Sequence, residues 1–200
     1  MLSDLARQWS QGFLRKVAGL CWRLGITPNM LTLGGFVIVA SVAIVLARGY
    51  FRLGGILLLL TVWLDAVDGT LARTTGQVST FGAFLDSTLD RYAEGILYFG
   101  LLVYYTQENR PAAIYLIYFT ILGSLIISYA RARAEAVGIE VKEGLLTRFE
   151  RLVILILGLL FMRMEAALWI LAPLTNLTAI QRIVIVWRRS QAAERGRPGS

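Results

Sequence analysis

Apolar residues in this chain come in long blocks, and polar ones are confined to the gaps between them. Met30 to Ala47 is nearly free of charge, and Leu53 to Leu64 is apolar and runs on toward a pair of aspartates. Ile96 to Tyr105 continues a stretch begun at Phe81, and Ala112 to Tyr129, Leu152 to Met162 and Ala166 to Trp187 follow. A hydrocarbon core of about 30 Å needs ~20 apolar residues per helical crossing. The pattern predicts an all-α integral membrane protein with six transmembrane helices over residues 29–190. Leu152 to Met162 is short unless its helix begins near Leu145, and Pro173 should kink or break the final block. Five crossings is therefore the alternative.

Ahead of the first block the periodicity changes. Leu5, Trp9, Phe13, Val17 and Leu20 recur at spacings of three and four, with Arg7, Arg15 and Lys16 off that stripe. This predicts an amphipathic helix at the headgroups over residues 1–28; a helix packed on the protein's own surface is the competing reading. The same segment lacks the continuous apolar core of a signal peptide. At the other end, residues 191–200 ("QAAERGRPGS") are polar and close on Pro and Gly, which predicts a disordered cytoplasmic tail.

Composition sharpens the membrane reading. Of 200 residues, 56% are hydrophobic and the mean hydropathy is +0.63, outside the range of an ordinary soluble domain. The net charge of +7 does not point to nucleic acid, because the basic residues flank the apolar blocks instead of forming one basic face. If the N-terminus is cytoplasmic and six crossings alternate, only Arg48, Arg52, Arg110 and Arg163 fall on the far side. The expectation is a multi-pass protein of the cell membrane with its polar site at the cytoplasmic face. Histidine is absent and Cys21 is the single cysteine. That excludes Ser-His-Asp catalysis, phosphohistidine intermediates, and His- or thiolate-based zinc sites.

What remains is carboxylate chemistry. Four of the five aspartates, Asp65, Asp68, Asp86 and Asp90, fall in "DAVDGTLARTTGQVSTFGAFLDSTLD", and the fifth is Asp4. Spacings of three and four put each pair on one helix face, and "TTGQVST" between them reads as a short loop. Two facing helices would gather four carboxylates, which cannot all stay ionised in a partly apolar site without cations. Oxygen ligands alone favour hard divalent ions, Mg²⁺ or Mn²⁺ ahead of Ca²⁺, and a bridged pair of ions suits phosphoryl chemistry. Gly69 allows close backbone approach, and Arg73 lies within reach of a diphosphate held by the same ions.

The spacing of Asp65, Asp68-Gly69, Ala72-Arg73, Gly82, Asp86 and Asp90 resembles the signature of the CDP-alcohol phosphotransferases, with every signature position filled. The resemblance implies transfer of a substituted phosphate from a CDP-alcohol to the hydroxyl of a second alcohol, with release of CMP. It further implies Asp65, Asp68, Asp86 and Asp90 as ligands of two Mg²⁺ or Mn²⁺ ions and Asp90 as the general base. Asp68, Gly69, Ala72, Arg73 and Gly82 would line the CDP site, with Asn29 and Thr32 from "TPNMLT". A homodimer is implied by the resemblance alone.

The signature leaves the acceptor open. "SYARARAEAVGIEVKEGLLTRFERLVI" places Arg131, Arg133, Lys142, Arg148 and Arg151 between two apolar blocks. Arginine offers bidentate contact to a phosphate on the acceptor, although anchoring to anionic headgroups explains any one of them. Ser128-Tyr129, Arg131 and "ERLVI" resemble the branch of the family that makes phosphatidylinositol phosphate. Ser128, Arg131, Arg148, Arg151 and Arg182 are thus the expected acceptor residues; Arg182 and Arg188-Arg189, near the cytoplasmic end of the last block, would close that pocket, with helix-end anchoring as the competing reading. Inositol phosphate ranks first as acceptor and glycerol 3-phosphate second, with CDP-diacylglycerol as donor. Two rivals compete: a cation-coupled transporter, which would also set carboxylates between helices, and a noncatalytic scaffold.

Overall fold

A computed structural model describes residues 16–76, 79–141 and 143–195, without the side chains of Ala66, Asp68 and residues 193–195. Every element among the described residues is helical: α1 (16–23), α2 (Pro28–Ala47), α3 (Phe51–Thr75), α4 (Thr80–Gln107), α5 (Pro111–Ala136), α6 (Arg148–Leu160) and α7 (Met164–Arg195). The six blocks of the sequence each fall in one of α2 to α7. Most of the amphipathic stripe, Leu5, Trp9 and Phe13, and also Lys142, lies outside the described residues.

Four helices, α2, α3, α5 and α7, are long and apolar enough to cross a membrane. Their outward faces are apolar too: Val37 and Ile44 on α2, Leu60 and Trp63 on α3, Leu125 on α5 and Leu177 and Ile180 on α7 are all exposed. Helices apolar on every side are stable in hydrocarbon and not in water. This is a membrane protein. The remaining two helices differ for separate reasons. α4 carries the aspartates in its first half, and α6 has 13 residues, or ~20 Å at 1.5 Å per residue.

Local sequence sets the helix ends that matter below. Thr27 caps α2, its hydroxyl accepting the Met30 N–H at 3.3 Å, with Pro28 in the first turn. Gly76 closes α3 at φ 68°, a left-handed cap that favours glycine. The Ser79 hydroxyl then accepts the Gly82 N–H at 2.9 Å and opens α4. α6 begins with a capping box, Thr147 and Glu150; the Thr147 hydroxyl and N–H hold the Glu150 carboxyl below the usual carboxylate range.

Two expectations need correction. Pro173 does not break the last block, since α7 is one helix around it. The Asn176 amide donates to the carbonyls of both Ala172 and Phe119, a polar tie to α5 just past the proline. Nor does order end at residue 190: α7 continues to Arg195 through "QAAER", whose residues favour helix.

The chain forms two compact units, residues 1–100 and 101–200. In the first, α2 packs on α3, and Gly100 of α4 meets the backbone of Ala43. In the second, α5 and α6 both pack on α7. The α5–α7 seam is polar and small, with Gly123 against Thr175, and Thr120, Ser124 and Thr178 buried. Such residues let helices approach closely where lipid supplies no hydrophobic drive.

A Cβ at Gly100 would collide with the Ala43 carbonyl, whereas one at Gly95 meets nothing within 4 Å. Gly100→Ala is expected to cost ~1–3 kcal/mol and to lower the thermal midpoint of the detergent-purified protein, with Gly95→Ala neutral or slightly stabilising. Equal midpoints for the two variants would contradict this packing.

Candidate active site

In the first unit the start of α2 and the α3–α4 hairpin enclose a cleft of about 240 Å³. Its walls are Pro28, Asn29 and Thr32 from α2, Gly69, Ala72 and Arg73 from α3, and Ser79, Gly82, Ala83 and Asp86 from the hairpin and α4. Six of the seven residues expected around CDP are therefore brought together with one of the four aspartates.

Small residues make the space. A Cβ on Gly82 would lie 2.9 Å from the Ser79 hydroxyl and 3.1 Å from Asn29 Oδ1, so any larger residue fills the gap between α2 and α4. A Cβ on Gly69 would lie 3.3 Å from Arg73 Nη1. The guanidinium lies back over Gly69 and donates to the Thr70 hydroxyl at 3.4 Å. A bare backbone, a guanidinium and an Asn amide around one cleft suit a phosphorylated, hydrogen-bonding ligand.

The other carboxylates sit on the same two helices. Asp65 faces α2, its Oδ1 3.8 Å from a Cβ placed on Gly35. Asp90 is largely covered, at 19% exposure, with Arg91 Nη1 4.0 Å away. Neither lines the cleft with Asp86. Among the described residues no three acidic side chains stand ready to hold an ion; Asp68, one turn from Asp65 on α3, has its side chain outside them. The donor chemistry still fits a hard cation, because the chain has no histidine and its one cysteine lies in α1.

The second unit holds the arginines. Ser128 and Arg131 lie in the last turns of α5, Arg148 and Arg151 open α6, and Arg182 lies on α7. Arg148 is exposed, while Arg151 and Arg182 are buried at 3% and 5% exposure. Arg131 and Arg151 are close enough for their charges to act on Arg182, as do Glu135 and Glu143. Both carboxylates are already engaged, Glu135 by Arg131 Nε at 2.8 Å and Glu143 by Arg189. Arg182 donates from Nη1 to the Ile127 carbonyl at 2.8 Å and from Nε to the Glu143 carbonyl at 3.2 Å.

A family model of CDP-alcohol phosphatidyltransferases matches residues 25–187, which include both regions. The chain belongs to that family. The transferase family reaches nearly end to end in its relatives. The chain is 36% identical to phosphatidylinositol phosphate synthase of Streptomyces avermitilis over 97% of its own length and 86% of that protein. It is 37% identical to archaetidylinositol phosphate synthase of Pyrococcus horikoshii, over 92% and 95%. Among solved structures, Mycobacterium tuberculosis phosphatidylinositol phosphate synthase with CDP-DAG bound superposes with a TM-score of 0.81. It is 30% identical, covering 87% of this chain and 93% of that one. The same enzyme with manganese and citrate gives 0.83, covering 87% and 88% at the same identity. Membership in a transferase family removes the transporter alternative.

Sequence reasoning passed over Ser79 and Ala83 in the cleft, and Glu143 and Gln181 around the arginines. Ser79 had a legible signal, a serine three residues before Gly82 at a helix start.

Proposed function

We propose that the protein transfers a phosphatidyl group from CDP-diacylglycerol to the hydroxyl of a phosphorylated polyol, inositol 1-phosphate by preference, and releases CMP. The observation that carries the acceptor is Arg182. A guanidinium at 5% exposure that feels the charges of Arg131 and Arg151, with the nearby Glu135 and Glu143 already engaged by Arg131 and Arg189, is stabilised by a further anion. A phosphate monoester supplies that anion with matching bidentate geometry. Inositol phosphate is favoured over glycerol 3-phosphate because several of the most similar relatives are named for inositol phosphate products. Two relatives are named archaetidylinositol phosphate synthase, which supports an archaetidyl group in place of the phosphatidyl group as the second reading.

In this reading the six helices α2 to α7 each cross the membrane, with the cleft and the arginines at the cytoplasmic face, and the enzyme works as a homodimer. Asn29, Thr32, Gly69, Ala72, Arg73 and Gly82 line the CDP site. Asp65, Asp68, Asp86 and Asp90 hold divalent metal, two ions of Mg²⁺ or Mn²⁺; manganese is present in one complex of the M. tuberculosis enzyme. When bound, the metal supplies charge stabilisation for the diphosphate and lowers the pKa of a nearby hydroxyl.

The chain's own groups do the rest. The cleft's bare glycines admit the diphosphate to the backbone, and Arg73 swings from its resting place over Gly69 to its oxygens. Arg131, Arg148, Arg151 and Arg182, with Ser128, bind the acceptor phosphate, leaving a ring hydroxyl free to react. Asp90 takes the proton of that hydroxyl. The oxygen attacks the phosphorus bearing the lipid alcohol, and the bond to the bridging oxygen of CMP breaks.

Gly82→Val is expected to abolish CDP-lipid binding, measured by displacement of a labelled CDP-lipid, because its side chain fills the space between Ser79 and Asn29. Unchanged binding would remove the cleft from the account. Asp90→Asn is expected to lose at least ~100-fold in turnover, the scale of general-base catalysis, while retaining CDP-lipid binding. EDTA is expected to stop the wild-type reaction and added Mg²⁺ or Mn²⁺ to restore it. Turnover that survives either treatment would contradict the mechanism.

A further inference from the structure

Between α5 and α6, the described residues 137–141 and 143–147 run beside α7 and are tied to it at several levels. The Thr178 hydroxyl accepts the Leu146 N–H at 3.1 Å, and Gln181 Oε1 accepts the Leu145 N–H at 2.9 Å. Arg182 Nε donates to the Glu143 carbonyl at 3.2 Å. Arg189 donates to the Glu140 carbonyl and to the Glu143 carboxylate. Thr178, Gln181, Arg182 and Arg189 lie at helical spacing along one stripe of α7. Gly144 lets the backbone come this near, since a Cβ there would lie 3.0 Å from Thr178 Cγ2 and 3.4 Å from Arg182 Nε.

The strap ends where α6 begins. Two residues past Leu145, Thr147 caps α6, and Arg148 and Arg151 follow in its first turn. At the other end of α6, a Cβ on Gly158 would lie 2.6 Å from Ala167 Cβ, so that end abuts α7 directly. The height of Arg151 relative to Arg182 is then fixed by the strap, because α6 is short and its N-terminal end meets α7 through these backbone hydrogen bonds.

We propose that Gln181 and Arg189 are positioning residues for the acceptor: they hold residues 140–141 and 143–146, the strap, on α7 and thereby set Arg151, in the first turn of α6, in relation to Arg182, without touching substrate themselves. The proposal rests on the acceptor reading above. It assigns the polar stripe of α7 a part in acceptor recognition separate from that of Arg182. The charge of Arg189 is spent on Glu143, so its role there is to hold the strap in place of anchoring to headgroups.

The test uses the full chain in lipid nanodiscs, with CMP release measured against CDP-diacylglycerol and inositol 1-phosphate. Gln181→Leu removes the acceptor for the Leu145 N–H, whereas Gln181→Glu keeps it; Arg189→Gln removes the ion pair. Gln181→Leu and Arg189→Gln are expected to raise KM for inositol 1-phosphate about tenfold, the scale of one lost hydrogen bond. KM for the CDP-lipid should stay at the wild-type value with at most a small fall in the thermal midpoint, and Gln181→Glu should restore the acceptor KM. Both KM values unchanged, or both raised together with a lower midpoint, would overturn the proposal, the first showing no positioning and the second a purely structural tie. Wild-type turnover indifferent to the acceptor's phosphate strikes the acceptor reading and the strap with it. Turnover that requires the phosphate while the variants match wild type strikes the strap alone.

Discussion

Hydrocarbon offers no hydrogen bonds, so a membrane chain must gather its polar groups where they satisfy one another or meet a ligand. Nearly everything distinctive here follows from that constraint. Thr120, Thr175 and Thr178 return hydroxyl protons to carbonyls of their own helices within the α5–α7 seam. Asn176 bridges to the Phe119 carbonyl, and Arg182 takes two more carbonyls. Asp86 and Arg73 border the cleft in one unit, and Arg131, Arg148, Arg151 and Arg182 are carried by the helices at the α5–α6 connection in the other.

The two regions are built by different means. The cleft is made by omission: Gly69 and Gly82 leave room that Arg73, Ser79 and Asn29 border. The arginine region is made by attachment, with α7 side chains holding backbone from a neighbouring segment. A donor that brings a bulky, flexible lipid and a diphosphate needs space and a cation that can move. A small acceptor with one phosphate needs charges at set distances. Each construction matches the ligand proposed for it.

How much of this could be read beforehand depends on where the signal lies. The apolar blocks located α2 to α7, because span length is written in consecutive residues, and the aspartate spacing led to the family and to Asn29, Thr32 and Gly82 in one cleft. The strap was not legible: Gln181 and Leu145 are 36 residues apart, and nothing in a local pattern pairs a glutamine with a particular backbone N–H. Pro173 misled because the rule against interior proline is local, whereas α7 is held by packing on α5 and by the Asn176 tie to Phe119. The tail misled because its Pro and Gly fall in its last five positions, after "QAAER" has already extended α7.

The central claim is that CMP leaves only when a phosphorylated polyol attacks. Its most direct measurement is CMP release by the purified wild-type protein from CDP-diacylglycerol with Mg²⁺, comparing inositol 1-phosphate, glycerol 3-phosphate, unphosphorylated inositol and no acceptor. The account predicts release with inositol 1-phosphate, less with glycerol 3-phosphate, and none above background with inositol or without acceptor. Release that proceeds as well with inositol as with its phosphate would contradict it.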